Sequence, residues 1–599
     1  MQTTPSESRG EPRASRAAIL KLFVALVSIS FLLRIFYSGH LFQDDGLWFT
    51  AAEEVLRGKA LYREIYFDKP PALPLLYAAL FKLFGAHIIV IRLFTILYAV
   101  AVSAVLYLFG SHLYGRRAGV IAAVMFVVFS TTFTTGHMQG LNTDFLMALP
   151  YTAGAYLMAL SVAGGRALRR RAGLAAAGGA LAGLAFQVNP KGAFDLVFFA
   201  LILLFVIFTR ARNRAEAASG PGAGLLLYAC AVLGFVAAAI PFMIYLVMNH
   251  SLADYRAYVW DWGALYASYY PATKMARTAL AQTLQYFALN NTLLITLAFV
   301  LVATVRRRAG SRPARNTETA TGAGFESQSF RRSNVIALAW LLASYAALAT
   351  GGRFFGHYFF QIIPALCLTG ASGMIGMERW LAARDLGTRP WLTRRRALAF
   401  LAIGFAFTLV RFHGRTVALA SDLLRQRKSE SVASWFHERL NREEKMAAAA
   451  VREYSGDIEL LGPEALRAAG ASGGAPESYL FVWGYRPEIY YWSGLLPASR
   501  FLSSQPLTGV PADVHYFGGE HRALLDERVT AEARAVLVGE LERHRPKYVV
   551  DELGFFNADL SIEDYPETSE FMKDYKRLGA TGRFLIYRRE DPVTDSIRR

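Results

Sequence analysis

Long apolar runs alternate with short polar segments through the first two thirds of the chain. About eleven of these runs approach or exceed the roughly 20 residues with which a helix crosses a bilayer. They lie at about 17–37, 87–109, 118–134, 145–163, 173–188, 193–209, 223–247, 284–304, 333–350, 356–377 and 397–413. A shorter apolar piece at 72–84, interrupted by Pro74, is predicted as a re-entrant or surface helix. The pattern predicts a mainly α, polytopic transmembrane helix bundle.

The pattern changes after residue 414, and the change predicts a second domain. Residues 421–454 are charged with helical spacing, whereas short apolar stretches farther on have the character of strands. The predicted strands are 479–483, 548–551 and 584–587, with a helix at 528–545 between two of them. We therefore expect three regions: a disordered cytoplasmic tail at 1–16, a transmembrane domain at 17–414 and an extracytoplasmic α/β domain at 415–599.

The distribution of charge predicts the orientation of the chain. The formal net charge is +18 over 599 residues, of which 54% are hydrophobic. The arginine clusters all lie between apolar runs, at 116–117, 166–171, 210–214, 306–315 and 394–396. A cytoplasmic N-terminus makes every cluster cytoplasmic, as the positive-inside pattern requires, and puts the polar segments at 38–86, 135–144, 189–192, 248–283 and 351–355 outside. No basic patch is interleaved with base-stacking aromatics, so no nucleic acid partner is predicted.

Several common classes of site are not supported by the sequence. Cys230 and Cys367 both lie within apolar runs, which leaves neither a disulfide framework nor a cysteine-based metal site. No glycine-rich phosphate loop occurs between a predicted strand and a helix, so nucleotide use is not supported. The first apolar run continues without a small-residue cleavage site, and we interpret it as a retained span.

The first polar loop, 38–71, carries the densest set of candidate residues. Apolar positions at 46–57 recur at three- and four-residue spacing, which predicts an amphipathic helix at the bilayer surface. Asp44 or Asp45 begins that helix, so each is a candidate general base or acceptor-orienting carboxylate, with helix capping as the alternative. Asp68 and Lys69 precede two prolines that end the loop; the Lys69 ammonium is a candidate ligand for a departing phosphate, with snorkelling toward headgroups as the alternative.

Four further residues on the same predicted face are candidates. Asp144 begins the fourth span, where N-capping is the alternative role, and Lys191 is a second outer cation. Arg353 and His357 are four residues apart, so on a helical turn they would face one way. Arginine suits bidentate phosphate binding and histidine can donate to phosphate or sugar, while contact with anionic headgroups is the alternative for Arg353. No spacing identifies a metal site, although Asp44 and Asp45 together leave a divalent cation, Mg or Mn, as a weak option.

The order of these motifs resembles the type C glycosyltransferases. It is most similar to the dolichyl-phosphate-mannose protein mannosyltransferases (family 39) and to their bacterial relative that transfers aminoarabinose onto lipid A. The residues that carry the resemblance are Asp44-Asp45, Phe67-Asp68-Lys69-Pro70-Pro71, Phe81 to Gly85, Arg92, Leu113 to Gly119, Thr143-Asp144 and, faintly, Trp483 to Tyr491. The chain departs from the family in having Asp45 and Asp68 where glutamate is commoner, which affects reach more than charge.

The resemblance implies a membrane glycosyltransferase that moves a sugar from a polyprenyl-phosphate donor to an acceptor hydroxyl of a protein, lipid or envelope glycan, with inversion. It implies Asp44 as the preferred base and Lys69 with Arg353 as stabilisers of the departing lipid phosphate, with no certain cofactor. The abundance of arginine and alanine indicates a high-GC bacterium. A bacterial source favours an undecaprenyl or decaprenyl carrier over dolichol and a location in the inner membrane.

Two other functions remain open at this point. A transporter or flippase for a lipid-linked or anionic solute would also line a path with acids and cations, although no internal repeat is evident. A scaffold or sensor would use the C-terminal region to bind glycans, but so many spans exceed what an anchor requires.

Overall fold

The computed structural model describes most of the chain. The described residues are 15–35, 41, 44–133, 140–163, 165–211, 221–309, 320–384, 399, 402–413, 442–453, 478–517 and 522–590. The predictions for most of the 1–16 tail, for residues 135–139, for the arginines at 394–396 and for most of the stretch 421–454 lie outside these ranges.

The first domain is built almost entirely from helices. In chain order they are α1 Arg16–Arg34, α2 Asp45–Leu56, α3 Ala72–Phe84, α4 Ile88–Tyr114, α5 Arg116–Phe129, α6 Thr143–Val162, α7 Leu168–Val188, α8 Phe194–Ala211, α9 Pro221–Met248, α10 Leu252–Tyr255, α11 Trp262–Ser268, α12 Ala272–Leu289, α13 Asn291–Ala309, α14 Ala320–Ala349, α15 Ile363–Arg384 and α16 Ala402–His413. Short 3-10 segments at Pro190–Ala193 and Gly356–Gln361 precede α8 and α15.

Six helices of the described chain are long and apolar enough to cross a membrane, and a bent pair makes a seventh. The six lie in α1, α4, α6, α9, the segment Pro190–Thr209 and the segment Phe330–Ala349. The shorter apolar helix predicted at 72–84 is α3. The multi-pass helical fold is therefore confirmed, whereas the number of about eleven spans stays a prediction.

The predicted span at 284–304 is not one continuous helix. Helices α12 and α13 meet there at an angle of 103°. Asn290, between them, is buried; its side chain accepts a hydrogen bond from Thr132 (2.8 Å) and donates one to the carbonyl of Tyr286 (3.0 Å). The amide thus satisfies backbone and side-chain groups at the break, which permits a bend within an otherwise helical stretch.

Helix α7 owes its place in the bundle to small residues. Its glycines and alanines let α6 and α9 approach its backbone, as is common between membrane helices. A Cβ added at Gly179 would overlap the carbonyl group of Ala231 in α9, and one at Gly178 would lie 3.0 Å from the carbonyl oxygen of Gly154 in α6. Close backbone packing therefore explains why a helix of low hydrophobicity lies among the spans.

The C-terminal domain, residues 442–453, 478–517 and 522–590 of the described chain, is a small α/β unit. Its strands are β1 Tyr479–Trp483, β2 Leu496–Pro497, β3 Tyr548–Asp551, β4 Tyr575–Thr581 and β5 Phe584–Arg589. Its helices are α17 Arg442–Val451, α18 Glu488–Ser493, α19 Gln505–Thr508, α20 Ala512–Phe517, α21 Glu527–His544, α22 Leu553–Phe556 and α23 Pro566–Met572. The sheet order is β2-β1-β3-β5-β4, with β1 parallel to β2 and β3 and with β5 antiparallel to β3 and β4.

The predicted strands at 479–483, 548–551 and 584–587 coincide with β1, β3 and β5, and the predicted helix at 528–545 coincides with α21. The boundaries of the three proposed regions stay predictions.

The first loop lies between the two domains rather than on an open surface. The amide of Tyr66 donates to the carbonyl of Arg500 (2.8 Å), and the Arg500 guanidinium donates to the carbonyl of Arg63 (2.8 Å). Most of α2, including Phe49 and Glu54, is buried. The predicted helix at 46–57 is therefore α2, and the C-terminal domain packs on its Gly46, Phe49 and Thr50; its place at the bilayer surface stays a prediction.

We expect Gly179→Ala to destabilise the bundle, because its methyl group has no space against α9, at a cost of about 1–3 kcal/mol. The matched control is Gly173→Ala in the same helix, since a Cβ there meets nothing within 4 Å. The midpoint of thermal unfolding in detergent should fall for the first variant and stay level or rise for the second. Equal midpoints would contradict the packing argument.

Candidate active site

One cavity of about 490 Å³ gathers polar residues from segments that are distant in sequence. Seven of the eight predicted site residues line it: Asp44, Asp68, Lys69, Asp144, Lys191, Arg353 and His357. They come from the start of α2, the end of the first loop, the start of α6, the turn before α8 and the segment between α14 and α15. The C-terminal domain supplies part of the wall through residues that include Tyr485, Gln505 and Asp513.

Asp44 occupies the N-cap position of α2. Its carbonyl accepts from the amide of Trp48 (3.3 Å), which begins the helix, but its side chain does not cap the first turn. The carboxylate instead lines the cavity. The positive end of the helix dipole favours its charged form there.

Asp45 points elsewhere. Its side chain is 2% exposed and forms an ion pair with Arg92 of α4, which is also buried. Asp45 is not among the residues that line the cavity. The expectation that both acids face the reaction site is therefore corrected: consecutive residues at the start of a helix point in different directions, so Asp44 faces the cavity and Asp45 anchors α2 to α4.

Asp144 is free of the capping role, because Asn142 caps α6 by accepting from the amide of Phe145 (2.8 Å). Three side-chain donors converge on Asp144 Oδ1. They are Gln361 Nε2 at 2.9 Å, Asn189 Nδ2 at 3.2 Å and Lys191 Nζ at 3.5 Å.

His357 Nε2 lies 3.8 Å from Asp144 Oδ2. Gln361 and Asn189 were not among the candidates from the sequence. Asn189 stands two positions before Lys191 and also accepts from its amide (3.2 Å), so it both fixes the turn and orients Asp144.

Lys69 and Lys191 are the two lysines that line the cavity, and their surroundings differ. Lys69 Nζ lies 3.0 Å from Asp68 Oδ2, and its carbonyl accepts from the hydroxyl of Tyr62 (2.7 Å). Burial alone would lower the pKa of Lys69, but the attraction of Asp68, with smaller contributions from Asp44 and Asp144, outweighs it and raises the pKa. Lys191 packs over the ring of Tyr358 at 3.4 Å and shares Asp144. The side chain of Lys69 is 38% exposed against 12% for Lys191, so Lys69 is the more accessible cation.

Arg353 has a partner that the sequence did not reveal. It forms an ion pair with Asp513 of α20 and donates to the carbonyl of Tyr266 (3.1 Å). Its guanidinium also lies over the rings of Tyr266 (3.6 Å) and Tyr270 (4.7 Å). The guanidinium that was predicted to bind phosphate is therefore already neutralised by Asp513 of the C-terminal domain.

The prediction that Arg353 and His357 face one way on a helical turn is wrong. Residues 353–355 are not helical, Phe354 has φ of +51°, and the 3-10 segment begins only at Gly356. Arg353 consequently turns to Asp513, whereas His357 turns to Asp144.

The described residues contain no group of three or more His, Cys, Asp or Glu side chains that could hold a metal ion. In particular, the proposed Asp44 and Asp45 pair does not share one cavity. The rest of the wall includes the aromatic side chains of Trp48, Trp262, Tyr266 and Tyr358. Aromatic faces with a few convergent polar groups are typical of small-molecule sites.

Residues 68–237 match the family model described as dolichyl-phosphate-mannose-protein mannosyltransferase. No curated protein matches the chain in sequence. The fold is similar to ArnT from Cupriavidus metallidurans in the apo state, with a TM-score of 0.51 and 12% identity over 96% of this chain and 98% of that one. It is also similar to the Archaeoglobus fulgidus oligosaccharyltransferase tethered with an acceptor peptide containing the NVT sequon, with a TM-score of 0.50 and 16% identity over 97% of this chain and 75% of that one.

At these identities the structural similarity establishes the fold, and the family match covers the segment that carries Asp68, Lys69, Asp144 and Lys191. The resemblance inferred from the sequence is confirmed over residues 68–237, which match the model of this mannosyltransferase family, and the overall fold is similar to that of ArnT.

Proposed function

We propose that this protein is a membrane glycosyltransferase that transfers a sugar from a polyprenyl-phosphate donor to an acceptor hydroxyl, with inversion at the anomeric carbon. The observation that carries the proposal is that Asp44, a carboxylate at a helix N-terminus, and Lys69, an accessible ammonium, line the same cavity. A base for the acceptor and a cation for the leaving phosphate are the two groups that this reaction requires.

Lys69 is the proposed ligand of the donor phosphate. Its raised pKa keeps it charged, and Asp68 and the Tyr62 hydroxyl fix the segment that bears it. Lys191 is less exposed and is engaged with Asp144 and the Tyr358 ring, which suits it to holding the site together. We therefore assign Lys69 the larger share of phosphate binding.

Asp44 is the proposed base, and Asp144 is the proposed orienting carboxylate. The three donors on Asp144 Oδ1 tie this carboxylate to Gln361, Asn189 and Lys191, which suits it to orienting its neighbours. Through the same contacts Asp144 holds Lys191 beside the cavity and lies near His357, which can donate to a sugar or a phosphate.

The reaction would proceed by a single displacement. The acceptor oxygen attacks the anomeric carbon, and its proton passes to Asp44. The bond between that carbon and the phosphate oxygen breaks, and the electron pair leaves with the lipid phosphate, whose added charge Lys69 stabilises. A phosphate monoester leaves without a general acid, so placement of donor and acceptor in one cavity supplies much of the rate.

The proposed location is the bacterial inner membrane, with the cavity on the extracytoplasmic side. Arg117, at the start of α5, pairs with Glu378 of α15 (2.7 Å). Glu378 lies 15 residues beyond the cavity-facing start of α15, about 22 Å along a helix. An arginine cluster at the end of the bundle remote from the cavity supports this orientation.

We expect Asp44→Asn to lower release of carrier from a polyprenyl-phosphate sugar by about 10²–10⁴-fold, because the acceptor loses its base. Its thermal midpoint in detergent should match that of the wild type. Asp45→Asn is the comparison variant, because it changes the adjacent acid. It leaves Arg92 buried without its charged partner and should lower the free energy of unfolding by about 3–5 kcal/mol. Equal carrier release by Asp44→Asn and wild type would reject Asp44 as the base.

Lys69→Ala should weaken binding of undecaprenyl phosphate by about 10-fold or more, since a charge-assisted contact to phosphate is worth about 1.5–3 kcal/mol. Lys82→Ala, an exposed lysine at the end of α3, is the control and should bind as the wild type does. Titration of the lipid phosphate into purified protein measures both. Unchanged affinity after loss of Lys69 would remove it from the phosphate site.

Asp513→Asn tests whether Arg353 also serves the phosphate. If the lipid phosphate replaces Asp513 on the guanidinium, removal of the competing charge should tighten undecaprenyl phosphate binding several-fold. Arg353→Gln in the same background should abolish the gain. An affinity that does not change in Asp513→Asn would show that Arg353 only joins the two domains.

A further inference from the structure

The first turn of α2, which follows Asp44, is in backbone contact with the C-terminal domain. A Cβ added at Gly46 would lie 2.6 Å from both the backbone nitrogen and the Oε2 atom of Glu488. Real Cβ atoms do not approach other atoms so closely, so only glycine permits this separation of α2 and α18. The contact therefore fixes how near the catalytic helix lies to the C-terminal domain.

Further contacts follow on the same side of α2. The Thr50 hydroxyl donates to the carbonyl of Pro487 (3.3 Å), and the ring of Phe49 meets that of Tyr491 edge to face at 4.6 Å. On another side of the same turn, Asp45 pairs with Arg92 of α4. The start of α2 is consequently held by the helix bundle and by the C-terminal domain at once.

The turn that touches Gly46 is itself rigid. Arg486 lies among three carboxylates, with Glu488 and Glu552 at 3.2 Å and Glu444 at 3.5 Å. The amide of Tyr485 donates to Glu552 Oε2 (2.8 Å). Burial raises the pKa of the Glu488 carboxyl well above its ordinary value, and the Arg486 guanidinium partly opposes that shift.

The same turn reaches the reaction site. Tyr485 and Pro487 line the cavity together with Asp44 and Leu47. Lys69, by contrast, lies on a separate segment at the end of the first loop, with its carbonyl held by the Tyr62 hydroxyl. A shift of α2 would therefore move the base without moving the proposed phosphate ligand.

We propose that the C-terminal domain positions the base: the turn 486–488 sets the first two turns of α2 through Gly46 and Thr50, and thereby the place of Asp44 relative to the donor. The inference rests on the proposed glycosyl transfer. Gly46, Thr50 and Glu488 are positioning residues, since they act through Asp44. The C-terminal domain is then part of the catalytic unit rather than an appended binding module.

The test is Gly46→Ala, with Gly539→Ala in α21 as the matched control, because a Cβ at 539 meets nothing within 4 Å. A displacement of about 1 Å in catalytic geometry lowers rates by about 10²-fold. We expect Gly46→Ala to lower kcat for carrier release by about 10–100-fold, with the Kd for undecaprenyl phosphate unchanged. Gly539→Ala should equal the wild type in both.

Two variants of Thr50 make smaller changes and test the proposal if Gly46→Ala fails to fold. Thr50→Val removes the hydroxyl that meets Pro487 and keeps the shape of the side chain, whereas Thr50→Ser restores the hydroxyl. The expected result is a several-fold lower kcat for the valine variant and recovery in the serine variant, again with undecaprenyl phosphate binding unchanged. A general loss of structure would instead weaken lipid binding in parallel.

The results distinguish failure of the positioning role from failure of the proposed glycosyl transfer. If the wild type releases carrier and both Gly46→Ala and Thr50→Val do so at the same kcat, the positioning role is overturned and the proposed function stands. A parallel loss of kcat and lipid binding in both variants also overturns positioning. If the wild type itself releases no carrier from any polyprenyl-phosphate sugar, the proposed function fails and this inference fails with it.

Discussion

A buried ion pair between Asp45 and Arg92 fixes the start of the helix that carries Asp44. An ionised carboxylate and a guanidinium are stable in a protein interior only together, so the first turn of α2 is tied to α4. With Asp45 committed to this pair, its neighbour Asp44 lines the cavity. One acid of the pair thus holds the helix in position, and the other is the proposed base.

Other charged residues around the cavity are also held by ion pairs and hydrogen bonds. Asp144 gathers the donors of Gln361, Asn189 and Lys191, while Arg353 is neutralised by Asp513 across the domain boundary. Charges of opposite sign are distributed around the wall, and Lys69 is the more exposed of its two lysines. The C-terminal domain completes this arrangement, because it covers α2 and contributes to the wall.

The sequence predicted residues that line the cavity where a charge beside apolar sequence required an explanation. Asp44, Lys69, Asp144 and His357 are such residues, and the helical periodicity located most of the elements that bear them. Partners that are neutral or remote left no signal: Gln361 and Asp144 are 217 positions apart, and Asp513 and Arg353 are 160 apart. The direction of Asp45 and the bend at Asn290 depend on tertiary contacts with α4 and with Thr132, which no local pattern contains.

The most direct test of glycosyl transfer follows the oxygen that bridges sugar and phosphate. Purified protein would be incubated with a panel of polyprenyl-phosphate sugars that carry ¹⁸O at this position, and the released carrier would be analysed by mass spectrometry. Displacement at the anomeric carbon predicts that the label stays in the polyprenyl phosphate. Label in the sugar product, or no release from any donor, would contradict the account.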